Sequence, residues 1–198
     1  PPDNLSRQRQ MCIRDRPVEL NEIFARLQKE ISENGILTVQ LPAMEADDVI
    51  ASAAVKAVAQ GAAVTILSTD TGQAQLLGPG IRQYNHFKQE PVTEQSIQQR
   101  FSVRITQLND YLAMVGDKSH SLPGVPGIGA KTAARLLDTY TGLDEILNAA
   151  EEIGGQTGKS LSENRDLARL VKKLLTLRTD LSLGYSLRCF RCIDPFLQ

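Results

Sequence analysis

The spacing of apolar residues predicts a helix from Pro17 to Ile31, where Leu20, Ile23, Phe24, Leu27 and Ile31 share one face and Pro17 suits a first-turn position. Ile36 to Val39 reads as a short strand. Glu45 to Ala59 returns to helical spacing, with Val49, Ile50, Ala53, Ala54 and Ala57 on one face, and Gly61 ends it. Val64 to Leu67 is an unbroken apolar and β-branched run of the kind that forms a strand buried on both faces, and it stops at Ser68-Thr69-Asp70. Ile81 to Phe87 supplies a further strand. The alternation of strand and helix between residues 32 and 90 predicts a parallel α/β sheet.

Beyond Thr93 the pattern is helical. It runs from Thr93 to Arg100, then from Thr106 to Val115 through Leu108, Tyr111 and Leu112, and from Lys131 to Tyr140 through Ala133, Leu136 and Leu137. A last helix is expected over Leu161–Leu177 through Leu167, Leu170, Val171 and Leu174, with Lys172 and Lys173 on a solvated face. An α/β half is therefore followed by a helical half, the boundary falling near Val103. Pro1 to Arg16 carries Arg7, Arg9, Arg14 and Arg16 without an apolar period; it reads as disordered, and its run from Gln10 to Arg16 has the look of non-native sequence.

Composition narrows the function classes. Of the 198 residues 41% are apolar, enough for one sizeable core or two modest ones. No stretch approaches the roughly 18 uninterrupted apolar residues of a membrane span, and the first residues lack the apolar run of a secretory signal. A cytoplasmic protein is expected, with no membrane partner. Three cysteines, of which Cys189 and Cys192 form one Cys-x-x-Cys, make neither a disulfide framework nor a four-ligand zinc site. The net charge of −1 does not advertise a nucleic-acid partner, so phosphate binding would have to come from a local patch or from backbone donors.

Such a patch is present. Pro123-Gly-Val-Pro-Gly-Ile-Gly129 lies between two amphipathic helices, where a tight hairpin would expose consecutive N–H groups at the start of the second helix; these bind phosphate without net positive charge. Gly127 and Gly129 would let a nucleic-acid backbone approach, Ile128 would anchor the turn in the core, and Lys131 and Arg135 would add charge. A nucleotide-binding Walker A loop does not fit, because Ala130 separates Gly129 from Lys131 and a helix precedes the loop. The plainer alternative is a glycine-rich turn with no ligand, which the double Pro-Gly and the cationic following helix argue against.

A second cluster is acidic. Glu45-Ala-Asp-Asp48 opens a helix, where acid is favourable for electrostatic reasons alone. Asp70, however, falls at the carboxyl end of a strand, the edge where open α/β sheets place ligands, and the acidic helix start would share that edge. Clustered carboxylates of this kind suit Mg²⁺ or Mn²⁺. Asp117, just ahead of the hairpin, could link the two sites.

These motifs, in this order, resemble the 5′-nuclease/flap endonuclease family and, within it, the bacterial exonuclease IX-like branch. The resemblance implies a truncated parallel-sheet 5′-nuclease (PIN-like) α/β domain over residues 17–103, an all-α helix-three-turn-helix DNA-binding domain over 104–185 and a tail over 186–198. It implies a metal-dependent phosphodiesterase, a monomer acting on branched or 5′-flap DNA in replication and repair. Glu45, Asp47, Asp48 and Asp70 would be catalytic, with Asp47 and Asp48, and more weakly Asp117, holding Mg²⁺ or Mn²⁺. K⁺ would be bound by the carbonyls of Met114, Val115, Pro123, Val125 and Ile128. Gly127, Ile128, Gly129, Ala130, Lys131, Thr132 and Arg135 would contact DNA.

Two departures qualify that expectation. Gly72 and His120-Ser121 stand where many family members carry further metal-binding residues, which largely dismantles a second metal site; His120 could serve as a neutral ligand there, but it reads more readily as a phosphate contact or as functionally neutral. The acidic strands and basic arch with which family members begin are not recognisable before Pro17, so the chain is expected to be an impaired fragment of a flap endonuclease. The competing expectation is a non-catalytic, structure-selective DNA-binding protein. A protein-interaction role for Leu161–Leu177 is weaker still.

Overall fold

The structure, a computed structural model, describes residues 18–190. The character expected of residues 1–16 lies outside the described residues, as do residues 191–198 of the tail. The chain forms two compact units, one of residues 58–177 and one that joins the residues before 58 to those from Arg178 onward.

In the second of these units, helix α1 spans Val18–Glu33. Its Leu20, Ile23, Phe24 and Leu27 stay exposed. Ile36–Val39 is not a strand: it joins no ladder among the described residues, and a strand exists only where a neighbour supplies partners. Val39 and Leu41 instead pack with Val49, Leu181 and Leu183. Helix α2, Ala46–Ala59, has Asp47 and Asp48 in its first turn and Lys56 in its last, the arrangement the helix dipole favours.

Asp48, Ser52 and Lys56, four residues apart on α2, bind the returning chain. Asp48 Oδ1 accepts from Arg178 N–H at 2.8 Å. Ser52 Oγ donates to the Arg178 carbonyl and accepts from Leu181 N–H, each at 3.1 Å, while Lys56 Nζ donates to the Leu181 carbonyl.

The unit of residues 58–177 contains a three-stranded sheet in the order β1-β2-β3: β1 Val64–Leu67, β2 Ile81–Asn85 and β3 Glu90–Val92. β1 and β2 run parallel with Val64 opposite Ile81, but β2 and β3 are antiparallel with Gln83 opposite Val92. The sheet is therefore mixed rather than parallel throughout. The few residues between β2 and β3 suffice for a hairpin, whereas a parallel return needs roughly a dozen or more. β1 is not buried on both faces either: Ile66 is buried, yet Leu67 is 69% exposed.

The helices of this unit are α3 Glu94–Phe101, α4 Leu108–Val115, α5 Ala130–Thr139, α6 Leu143–Asn148, α7 Ala150–Ile153, α8 Gly155–Glu163 and α9 Arg165–Leu175. α3 starts on a reciprocal cap between Thr93 and Ser96. Leu108, Met114, Leu137, Leu143, Ile146, Leu147, Leu161 and Val171 are fully buried in one core. The single helix expected over Leu161–Leu177 is two, separated at Asn164. α8 approaches α7 so closely that a Cβ on Gly158 would collide with the Ala150 carbonyl. Lys173 is exposed, whereas Lys172 is half-buried, with its Nζ 2.6 Å from Oδ1 of the buried Asp110. Among the described residues, no helix is long and apolar enough to cross a membrane.

Candidate metal centre and nucleic-acid interface

β1 ends where its backbone turns into a short 3₁₀ segment, Thr71–Leu76, capped by Asp70. Asp70 Oδ1 accepts the Gly72 N–H at 2.7 Å, and the Asp70 N–H donates to Ser68 Oγ at 3.0 Å. Gly72 suits this turn, since a Cβ there would stand 3.2 Å from Asp70 Oδ1. The turn is held from behind by Gln83, a buried β2 residue whose Nε2 donates to the carbonyls of Ser68 and Asp70. Neither Gln83 nor its role was visible in the apolar pattern, where it is a polar residue inside a strand.

The second oxygen of Asp70 faces a histidine. His120 Nε2 lies 3.3 Å from Asp70 Oδ2, and His120 Nδ1 lies 2.9 Å from Asp117 Oδ2. His120 therefore bridges two carboxylates, partners that no spacing along the chain announces. Asp117 Oδ1 accepts from both the N–H and the Oγ–H of Ser119. Burial by itself would raise the Asp117 pKa, but the hydrogen bonds from Ser119 and His120, with the charge of His120, outweigh it and hold the carboxyl below its ordinary range. Both Asp117 oxygens are thus engaged by protein donors, whereas Asp70 Oδ2 and His120 Nε2 stand side by side. An oxygen and a nitrogen so placed fit a small divalent cation.

Asp117 also starts the hairpin. It pairs with Leu122 through both backbone groups, at 2.9 and 2.8 Å, and Val125 N–H then donates to the Met114 carbonyl at 2.8 Å. Gly116, at φ +88°, and Gly124 lie back to back here: a Cβ on Gly116 would come within 2.7 Å of the Gly124 nitrogen, and one on Gly124 would collide with the Val115 carbonyl. Met114, Val115, Pro123 and Val125 are thereby brought together. Val125 and Ile128 are buried, and the Val125 carbonyl accepts from Ile128 N–H at 3.1 Å. Ser160 Oγ donates to the Pro126 carbonyl, an anchor for which the sequence carries no signal.

Outside that buried knot the hairpin is open. Gly127 has φ +78°, and neither Gly127 nor Gly129 would bring a Cβ within 4 Å of another atom. Gly129 is the N-cap of α5 and no side chain caps it. Gly127, Gly129, Ala130, Lys131 and Arg135 are exposed, and Thr132 is half-buried. An uncapped helix start beside two exposed cations is an arrangement with the donors and charge to receive an anion.

Glu45, Asp47 and Asp48 belong to the other unit. Glu45 accepts the first backbone bond of α2, from Val49 N–H, and both Glu45 and Asp47 are half-buried. Asp48 is buried, with Oδ1 committed to Arg178 as described above.

A carboxylate-bearing strand end followed by an open glycine hairpin belongs to the class of proteins that handle phosphodiesters. Residues 7–102 match the 5′-3′ exonuclease N-terminal resolvase-like domain and residues 103–196 the 5′-3′ exonuclease C-terminal SAM fold. The flap endonuclease Xni of Shewanella sediminis is 39% identical over 179 residues, covering 90% of this chain and 70% of that protein. The Xni protein of Shewanella oneidensis is 45% identical over 154 residues, covering 77% of this chain and 59% of its own length. The chain belongs to the 5′-3′ exonuclease family of hydrolytic nucleases.

Among solved structures, a bacteriophage T5 5′-exonuclease with bound zinc superposes with a TM-score of 0.71 at 22% identity, covering 88% of this chain and 67% of that one. A T5 flap endonuclease in a pseudo-enzyme-product complex with DNA and metal ions superposes with a TM-score of 0.68, again at 22% identity, covering 86% of this chain and 65% of that one. At that identity the likeness is one of fold.

Proposed function

We propose that the protein is a metal-dependent flap endonuclease that cleaves the phosphodiester backbone of branched DNA bearing a 5′ single-stranded flap, acting as a monomer in the cytoplasm. The observation that carries the reading is the continuity from Asp117 to Ala130: the loop that places His120 beside Asp70 runs directly into the open hairpin. One stretch of chain thus joins a cation-binding pair to a phosphate-binding helix start. The flap endonuclease relatives support the choice of substrate.

The residues divide the work. Residues 17–103 supply the carboxylates and residues 104–185 the DNA-binding helices. The N–H groups of the α5 first turn, with Gly127, Ile128, Gly129, Ala130 and Thr132, bind a backbone phosphate of the duplex. Lys131 and Arg135 add attraction that falls with salt. Carbonyls of Met114, Val115, Pro123, Val125 and Ile128 hold K⁺ and stiffen the knot behind the hairpin. Glu45, Asp47, Asp48 and Asp70 are the catalytic carboxylates; Asp47 and Asp48, and more weakly Asp117, take Mg²⁺ or Mn²⁺. A divalent cation there supplies charge neutralisation of the phosphodiester and a lowered pKa for water.

The test is cleavage of a duplex carrying a fluorescent 5′ flap, run in Mg²⁺ and in Mn²⁺ with wild type and Asp47→Asn. Release of the flap by wild type, weak because the second metal site is largely dismantled, and lost in the variant, is expected. Tight flap binding without release in either metal would replace the enzyme by a structure-selective DNA-binding protein. Binding no tighter to the flap than to blunt duplex would overturn the substrate assignment.

A further inference from the structure

We propose that Gln75 and Asn109 are a positioning pair: the hydrogen bond between them ties α4, and with it the glycine hairpin, to the turn that carries Asp70, so that DNA held at the hairpin meets a cation beside Asp70 in register. This rests on the nuclease reading above and adds the residues that join its two sites.

Gln75 lies in the 3₁₀ segment that follows Asp70, and its amide engages two donors and two acceptors. Nε2 donates to the Gly72 carbonyl at 2.8 Å and to the Leu175 carbonyl at 3.0 Å. Oε1 accepts from the Leu177 N–H at 3.0 Å and from Asn109 Nδ2 at 3.1 Å. Carbonyls only accept and a backbone N–H only donates, so these partners fix which end of the Gln75 amide carries the oxygen. Asn109 must therefore turn its own NH₂ toward it.

Each end of this bond leads to a site. Gly72 donates its N–H to Asp70 Oδ1 at 2.7 Å while its carbonyl accepts from Gln75, so Gln75 braces the residue that anchors the carboxylate. Asn109 sits in the first turn of α4, and the last turn of α4 is the base of the hairpin: Gly124 lies against the Val115 carbonyl, and Val125 N–H donates to the Met114 carbonyl at 2.8 Å. From Asn109 to Val115 a helix rises only about 9 Å, a short arm that carries position from one end to the other.

Stability alone does not account for Asn109. Its Oδ1 is buried and has no hydrogen-bond partner among the described residues, which is unfavourable for an acceptor. An alanine there would avoid that cost and still leave Gln75 Oε1 its bond from Leu177. What Asn109 adds is a directional link from α4 to the turn, which the non-directional apolar contacts of α4 do not supply. Register matters on a small scale: a misplacement of ~1 Å can slow a reaction about a hundredfold. The next phosphodiester along a strand lies ~3.4 Å further on, so loosening the link weakens the meeting of phosphate and cation without moving the cut to another bond.

The experiment measures the affinity of the full chain for a 5′-flap duplex, labelled on the strand that is not cut, by fluorescence anisotropy without metal and in saturating Mn²⁺ at equal ionic strength. A phosphate that shares a cation with the protein tightens DNA binding, and the ratio of the two affinities is the coupling factor. Calorimetry gives the Mn²⁺ affinity of the DNA-free chain. Expected is a coupling factor of about tenfold in wild type that Asn109→Ala abolishes, with metal-free flap affinity and DNA-free Mn²⁺ affinity both unchanged. A purely structural role would lower the melting temperature or the two separate affinities and leave the ratio in place. Gln75→Ala should lose the coupling equally, and adding Asn109→Ala to it should have no further effect. Because Asn109→Ala leaves the Gln75 amide its other bonds, the test stands even where Gln75→Ala folds poorly. An undiminished coupling factor in Asn109→Ala overturns the assignment, as does a wild type that binds both ligands without coupling. Failure of wild type to bind either flap or Mn²⁺ would instead sink the nuclease reading, and this inference with it.

Discussion

Gln83 Nε2 donates to the Asp70 carbonyl at 2.7 Å, so a buried amide on the central strand fixes the turn that presents a candidate ligand. Gln83→Leu leaves the carbonyls of Ser68 and Asp70 without that donor, and losing buried partners costs about 1–3 kcal/mol. Denaturant unfolding should register a loss of that size. Divalent-metal affinity should fall while affinity for flap DNA is retained, because the hairpin rests on a different set of contacts.

Asp48 and Asp47 adjoin on α2 but should separate in experiment. Asp48→Ala removes the acceptor of Arg178 N–H and should destabilise the protein by about 1–3 kcal/mol, since the group is buried. Asp48→Asn keeps an oxygen for that bond and should recover much of the stability. Asp47→Ala, at a half-buried position, should abolish cleavage and cost less stability than Asp48→Ala at its buried one. Thermal melts beside flap-cleavage assays distinguish these outcomes.

The hairpin predicts a salt signature. Lys131→Ala should weaken flap binding at low salt and reduce the slope of log affinity against log salt by about one unit, as removal of a single phosphate contact does. Gly127→Ala introduces a side chain at φ +78° and should cost about 1 kcal/mol in stability as well as weakening binding. Fluorescence anisotropy over a salt series measures the first effect and chemical denaturation the second.

Glu145 supplies a pH-dependent contribution. Its carboxylate accepts from the Thr141 hydroxyl at 2.6 Å and the Thr141 N–H at 2.7 Å, and these bonds lower its pKa below the ordinary glutamate value. A depressed folded pKa means stability that is present above the unfolded value and is lost as pH falls through the folded one. Glu145→Gln should therefore melt at a lower temperature than wild type near neutrality. The difference should close in acid below the usual glutamate range, as thermal melts across that range would show.

Helices with a full apolar period were legible without coordinates. α1, α2, α4 and α5 repeat their apolar residues over enough turns to define a face, whereas the reciprocal cap of Thr93 and Ser96 at the start of α3 was not read from the sequence. α6, α7 and β3 were not legible, because six, four and three residues complete too few periods. Leu161–Leu177 was read as one helix because the apolar spacing continues across Asn164, where the backbone does not. The glycine hairpin was legible for a chemical reason: Gly127 needs a left-handed φ and Gly129 leaves the helix start uncapped.

By itself the sequence determined the order of the parts: an acidic helix start, a strand ending in Asp70, a helical half, and between its helices a glycine hairpin followed by Lys131. Each rests on properties local to the chain, whether period, φ preference or side-chain charge. Tertiary structure alone decided what depends on residues distant in sequence. It left Ile36–Val39 outside any ladder among the described residues, made the sheet mixed, buried Asp48 against Arg178 and drew Lys172 to Asp110. It also set His120 between Asp70 and Asp117, fifty residues from the first and three from the second. Ladder partners, burial and the direction of a hydrogen bond arise only when the chain folds back on itself, so no pattern along the sequence encodes them singly.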